Sequence, residues 1–117
     1  MVRPADVPEM TAADDLRVVV RTSAGTARVS ARGELDRSNA PELDAAIRVA
    51  EESAAAVELD LRGLTFMDAS GIRLLLAWTS HAHSANLALS ILPPPADVAR
   101  VCELVGVTHL LPLVEAA

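Results

Sequence analysis

The sequence predicts an α/β fold: a small mixed sheet of four to five strands with its helices packed on one face. Three observations predict it. Four segments alternate apolar residues with small or charged ones, as strands buried on a single side do. The segments between and after them repeat their apolar residues at helical spacing. The resulting order, β-β-α-β-α-β-α, contains strand–helix–strand units, which call for parallel strands and right-handed crossovers. A doubly wound sheet is covered on both faces and would show continuous apolar strands instead.

Residues 16–22 and 26–34 read as two strands joined at Ser23-Ala24-Gly25, a hairpin signal. In the second strand Ala27, Val29 and Ala31 alternate with Arg28, Ser30 and Arg32. Residues 56–61 set Val57, Leu59 and Leu61 against Ala56, Glu58 and Asp60, and residues 87–91 set Leu87, Leu89 and Ile91 against Ala88 and Ser90. Arg28 and Arg32 then share the open face with Glu58 and Asp60. They are there either as cross-strand pairs worth about 0.2–1 kcal/mol each or as separately solvated charges.

The first helix opens at Ser38-Asn39-Ala40-Pro41-Glu42, where Asn39 and Glu42 have capping-box spacing and Pro41 sits in the first turn. Leu43, Ala46, Ile47 and Ala50 form its apolar stripe. The residues between Leu61 and Asp68 read as a short loop. A second helix runs from about Asp68 to Ser84, with Ile72, Leu75, Leu76 and Trp78 as buried candidates. A third follows Pro93-Pro94-Pro95, with Val98, Val101, Cys102 and Val105 on one face, and Gly106 stops it. Leu110 to Val114 adds a short final strand or helix.

The 117 residues fit one domain. Residues 1–15 mix Pro, Ala, Asp and Glu without an apolar h-region, so they read as a disordered lead-in and not as a signal peptide. Residues 16–117 form the expected domain. With one Phe, one Trp and no Tyr, its core must be Leu, Val, Ile and Ala. No apolar run approaches the roughly 20 residues of a membrane helix, so no membrane insertion is expected. A single cysteine, Cys102, excludes an internal disulfide and fits a reducing, cytoplasmic setting. The net charge of −6 argues against nucleic acid and against an anionic membrane surface, which leaves a protein or small-molecule partner.

The chemistry concentrates in Leu59-Asp60-Leu61-Arg62-Gly63-Leu64-Thr65-Phe66-Met67-Asp68-Ala69-Ser70-Gly71-Ile72. An apolar strand leads there into Asp-Ala-Ser-Gly at a helix start, placing a serine hydroxyl beside a carboxylate on an accessible rim. Such a serine is a cap, a nucleophile or a phosphorylation site. Asp68 is the better cap, which leaves Ser70 in the first turn with its hydroxyl outward. As a nucleophile Ser70 lacks the Gly-x-Ser-x-Gly elbow and a nearby base, since His81 and His83 lie about 15 Å or more along the helix. Those two histidines point about 200° apart and cannot chelate together. His109 is in a distant turn and Cys102 falls on an apolar face, so no metal site is expected. Neither phosphate-binding glycine motif occurs. Gly33-Glu34-Leu35-Asp36, one Gly beside two acids, reads as a strand-end turn with capping acids. No cofactor is expected.

Gly33-Glu34-Leu35-Asp36, then Leu59-Asp60-Leu61, then Phe66-Met67-Asp68-Ala69-Ser70-Gly71-Ile72 resembles the STAS domain of anti-sigma factor antagonists. The similarity runs from about Leu16 to Val114. It implies a small mixed sheet with helices on one face, in agreement with the alternation. It further implies a non-enzymatic regulator phosphorylated at Ser70 by a partner that is both serine kinase and anti-sigma factor. The unphosphorylated form binds that kinase and frees the sigma factor, the phosphorylated form is released, and a separate phosphatase restores binding. Many relatives have Ser-Ser-Gly where this chain has Ala69-Ser70-Gly71. The implied partner surface combines the loop before the second helix, that helix's exposed start and the Gly33–Ser38 turn, with Asp36, Asp68, Ser70, Gly71 and Arg73 as its residues. For Arg73 a simple solvated helix charge is the competing reading. A STAS accessory subunit of a stress-signalling assembly or a lipid-transport ATPase, docking without a phospho-switch, is the alternative function. The expected state is a monomer, or a weak dimer through the Leu74/Trp78 surface.

Overall fold

Ala24 and Gly25 take φ of +52° and +84°, and this left-handed pair closes the two-residue hairpin between β1 (Leu16–Ser23) and β2 (Thr26–Leu35). The computed structural model describes residues 15–114. The expected lead-in over 1–15 therefore lies outside the described residues except for Asp15, whose carbonyl accepts from Glu34 N at 2.7 Å. After β2 the chain continues as α1 (Ala40–Ser53), β3 (Ala56–Met67), α2 (Ala69–Ala85), β4 (Ala88–Leu92) and α3 (Ala96–Leu104).

The sheet order is β1-β2-β3-β4, with β1 antiparallel to β2 and the other two pairings parallel. Over Leu110 to Val114 neither a full strand nor an α-helix forms among the described residues. Thr108–Leu110 makes one 3-10 turn, and Leu113 then bridges Ile91 in parallel on the outer edge of β4.

One face of the sheet is buried. Leu16, Val18, Ala27, Val29, Ala31, Val57, Leu59, Leu61 and Ile91 join a single cluster with the apolar stripes of all three helices. Covering every strand on that side removes apolar surface from water at about 25 cal/mol per Å². The opposite face keeps its charges: Arg28 Nε lies 2.5 Å from Glu58 Oε1 and Arg62 Nη2 2.9 Å from Asp60 Oδ2. Arg28 therefore takes the cross-strand alternative.

Three expectations are corrected. The residues after Leu61 are not a loop, because β3 continues to Met67. Its register against β2 shifts twice, between Ser30 and Arg32 and between Gly33 and Glu34, and each shift inserts one extra β3 residue. The capping box at α1 does not form: Asn39 makes no side-chain cap, and Glu42 Oε2 is buried with no partner among the described residues. Val105 is 56% exposed and not part of the α3 stripe, which buries Val98 and Cys102.

The two long helices are tied across their contact. Trp78, only 4% exposed, donates from Nε1 to Asp44 Oδ1 at 2.8 Å, while Arg48 Nε donates to Asp44 Oδ2 at 2.9 Å. The Arg48 guanidinium stands 5.6 Å from the Trp78 ring centroid, a cation–π distance. Trp78 is thus an internal strut and offers little surface for a dimer.

Candidate functional site

The site is built where β2 and β3 end side by side. Leu35 pairs with Met67 at the last rung of the parallel ladder, so the turn after β2 and the start of α2 leave the sheet at the same rim. Asn39 shapes the first of these. It is 1% exposed, accepts from Asp36 N at 2.9 Å through Oδ1, and donates from Nδ2 to Glu34 O at 2.9 Å. Its amide replaces the ladder partners that the departing chain loses, a requirement for buried backbone groups. Asp36 Oδ1 accepts from Ser38 N at 2.9 Å and from Ser38 Oγ at 2.6 Å. The Ser38 hydroxyl holds the Asp36 carboxyl below the usual carboxylate range, against the opposing effect of burial.

The second wall is the α2 start. Asp68 is its N-cap, in extended backbone with φ −104° and ψ −169°, and its Oδ1 accepts from Ser70 N at 2.8 Å. That bond uses the Ser70 backbone and leaves its side chain alone. Ser70 is half-buried, and among the described residues its hydroxyl has no hydrogen-bond partner.

The two walls enclose two adjoining open hollows. One, of about 500 Å³, is lined by Asp36, Arg37, Ser38, Asp68, Ala69, Ser70 and Arg73. The other, of about 450 Å³, continues over Ala40, Pro41, Asp44 and Leu74 and shares Arg37, Ser70 and Arg73. Four of the five sequence-expected residues, Asp36, Asp68, Ser70 and Arg73, therefore meet at one groove. Gly71 lies beneath it, buried. A Cβ there would collide with Met67 Cγ and stand 2.9 Å from Met67 Sδ and 3.0 Å from Leu35 Cδ2. Gly71 lets α2 seat directly on the ends of β2 and β3. Sequence reasoning missed Arg37, which no periodicity marks; its only signal is a place inside the turn already singled out.

Chemically the groove offers a serine hydroxyl, two guanidiniums and three carboxylates in an open space. It is too shallow to enclose a small molecule as an apolar ligand pocket would. No helix among the described residues is long and apolar enough to cross a membrane.

A one-faced α/β sheet whose candidate site is a helix start and the facing turn defines a small domain of the STAS class. The chain belongs to the STAS-domain family: the family model described as "Mlab, STAS domain" matches residues 18–115. Among solved structures it is similar to an anti-sigma factor antagonist from Mycobacterium paratuberculosis, with 28% identity, a TM-score of 0.72 and 88% of each chain covered. It shares its fold with the anti-sigma factor antagonist SpoIIAA in its unphosphorylated form, at 21% identity, TM-score 0.69, over 86% of this chain and 88% of that one. The Bacillus cell fate determinant SpoIIAA in its phosphorylated form matches at 20% identity, TM-score 0.65, over 86% and 91%. Sequence comparison with curated proteins finds no match.

Proposed function

We propose that this protein is a cytoplasmic anti-sigma factor antagonist, not an enzyme, that binds an anti-sigma factor serine kinase and is switched off by phosphorylation at Ser70. The observation that carries the reading is the Ser70 hydroxyl: it lies at an open rim, free of hydrogen bonds among the described residues, with Asp68 already serving as the cap. The likeness to an antagonist at 28% identity over most of both chains supports the same reading. Asp36, Asp68, Ser70 and Arg73 form the docking surface, with Gly71 supporting it from below.

Phosphorylation adds about −1.5 to −2 charges. A helix N-terminus favours that charge by roughly 0.3–1 kcal/mol, so the fold tolerates it. A dianion buried without a partner at a docked interface costs several kcal/mol, and each ~1.4 kcal/mol is tenfold in affinity. Incubation with the kinase and ATP, followed by intact-mass and binding measurements, tests the proposal. The expected result is one added phosphate, absent in Ser70→Ala, and weakened kinase binding by the phosphorylated form. No mass gain together with wild-type binding by Ser70→Glu would defeat it.

A second reading is favoured by the description of the matching family, which names an Mlab STAS domain and not an antagonist. In it the same groove is a permanent docking surface of an accessory subunit, in a stress-signalling assembly or a lipid-transport ATPase. That reading expects partner binding with no phosphate acquired.

A further inference from the structure

Around Ser70 the carboxylates are engaged and the guanidiniums are not. Asp68 Oδ1 accepts from Ser70 N, and Asp36 Oδ1 from Ser38 N and Oγ. Asp44, at the α1 end of the groove, accepts from Trp78 Nε1 and Arg48 Nε. Arg37 and Arg73 are both exposed, and among the described residues neither forms an ion pair. They stand on opposite walls, Arg37 on the turn after β2 and Arg73 on α2, and both line both hollows together with Ser70.

The helix geometry aims Arg73 at the serine. Residues three apart share a helix face, and side chains lean toward the N-terminus, so Ser70 falls within reach of the Arg73 side chain. A guanidinium presents a planar fork of donors that matches phosphate oxygens two at a time, which makes arginine a strong phosphate ligand. Two such forks line the same hollows as a hydroxyl that has no hydrogen bond among the described residues, in a chain of net charge −6.

We propose that Arg37 and Arg73 are a two-armed clamp that holds, within the same molecule, a phosphoryl group carried on Ser70. The proposal rests on phosphorylation at Ser70 and says how that modification is read. The kinase supplies ATP; Ser70 Oγ bonds to the γ-phosphorus, the bond from that phosphorus to the bridging oxygen of ADP breaks, and the hydroxyl proton passes to a base of the kinase. The clamp then closes on the product. A partner that docks on the open groove thereby loses two arginines as donors and meets a phosphoryl group that they already hold.

The charged groups facing the phosphate are Asp36 and Arg37 from the turn, Asp44 from α1, and Asp68 and Arg73 from α2. The arginines favour the dianion and the carboxylates oppose it, so its second ionisation reports which set prevails. The test uses the full chain with phosphoserine installed at position 70 during translation, so that no kinase is needed, and follows its titration by 31P NMR. The expected second pKa lies below the ordinary value of about 6. It should rise by roughly half a unit or more in Arg37→Gln and in Arg73→Gln, and further in the double variant, where one unit is tenfold in proton affinity. Arg100→Gln on α3 serves as the control and should leave it unchanged. Amide spectra confirm that the exposed substitutions leave the fold intact. A value at or above about 6, or a lowered value that neither substitution moves, overturns the clamp. Failure of the phosphorylation reading would show elsewhere, as absence of mass gain with kinase and ATP.

Discussion

Single residues at the rim divide into those that shape the groove and those that present chemistry, and substitutions separate them. Gly71 shapes it. Ala normally gains about 0.5–1 kcal/mol over Gly inside a helix, yet here its methyl would enter space held by Met67 and Leu35. Overpacking of that kind costs about 1–3 kcal/mol, so Gly71→Ala should lower stability by about 1–2 kcal/mol in denaturant titration, and Gly71→Val should lower it further. Asp68 both shapes and presents. Asp68→Ala removes the acceptor for Ser70 N and should cost about 1 kcal/mol, whereas Asp68→Asn keeps the cap and should cost less. If the proposed kinase partner reads charge at this position, Asp68→Asn should change binding while leaving the melting temperature near that of the wild type.

Elements show how much of the architecture was legible in the sequence and where legibility ended. The strict alternation in β2 and the first half of β3 announced the one-faced sheet, because period two is a direct geometric consequence of the pleat. In the second half of β3 the buried residues are Leu61, Leu64 and Met67, spaced by three. Each interval contains one of the two extra residues that shift the register against β2. A bulged strand has no period two, so the segment reads as a loop although it stays paired with β2 on either side of each bulge. At α1, Asn39 and Glu42 had the right spacing for a capping box, but Asn39 turns its amide to Asp36 N and Glu34 O instead. Which backbone groups need a partner depends on tertiary placement, and spacing does not encode it. Asn39→Asp keeps the acceptor and loses the donor, setting a carboxylate against Glu34 O. Leaving a buried group unsatisfied costs about 1–3 kcal/mol, so this nearly isosteric change should destabilise measurably by thermal unfolding.

The open face of the sheet carries its own pH signature. Asp60, its side chain 13% exposed, is held below the usual carboxylate range chiefly by the Arg62 guanidinium, with burial opposing and Arg28 assisting. A carboxyl whose pKa is lower folded than unfolded stabilises the native state fully above its unfolded value, near 3.9. That contribution disappears as pH falls through the folded value. Asp36 acts in the same direction through Ser38. Asp60→Asn should therefore lower the melting temperature at pH 7, and the gap from wild type should narrow once the pH falls below about 4. Calorimetry across pH 7 to about 2.5 measures both. A gap independent of pH would assign the loss to packing alone.

At the scale of the whole molecule, the core and the candidate site occupy different places. The core lies between one sheet face and three helices, while the groove sits at the rim where β2 and β3 end. A charge at Ser70 thus changes the surface a partner meets without entering the core. Helix-dipole attraction there amounts to roughly 0.3–1 kcal/mol, with Asp68 acting against it. Leu59 is the contrast: it is fully buried in the first half of β3, and truncating a core leucine to alanine costs about 2–5 kcal/mol. For a domain of this size one kcal/mol is roughly 4–8 °C. Ser70→Glu should therefore shift the melting temperature by only a few degrees, and Leu59→Ala should lower it by about 10 °C or more. Hydrogen exchange sharpens the comparison: amides of β2 and β3 should exchange through global unfolding in both variants, faster only in Leu59→Ala. If Ser70→Glu instead speeds exchange along β3, charge at the rim is transmitted into the core, and a partner would sense a loosened fold in place of an altered surface.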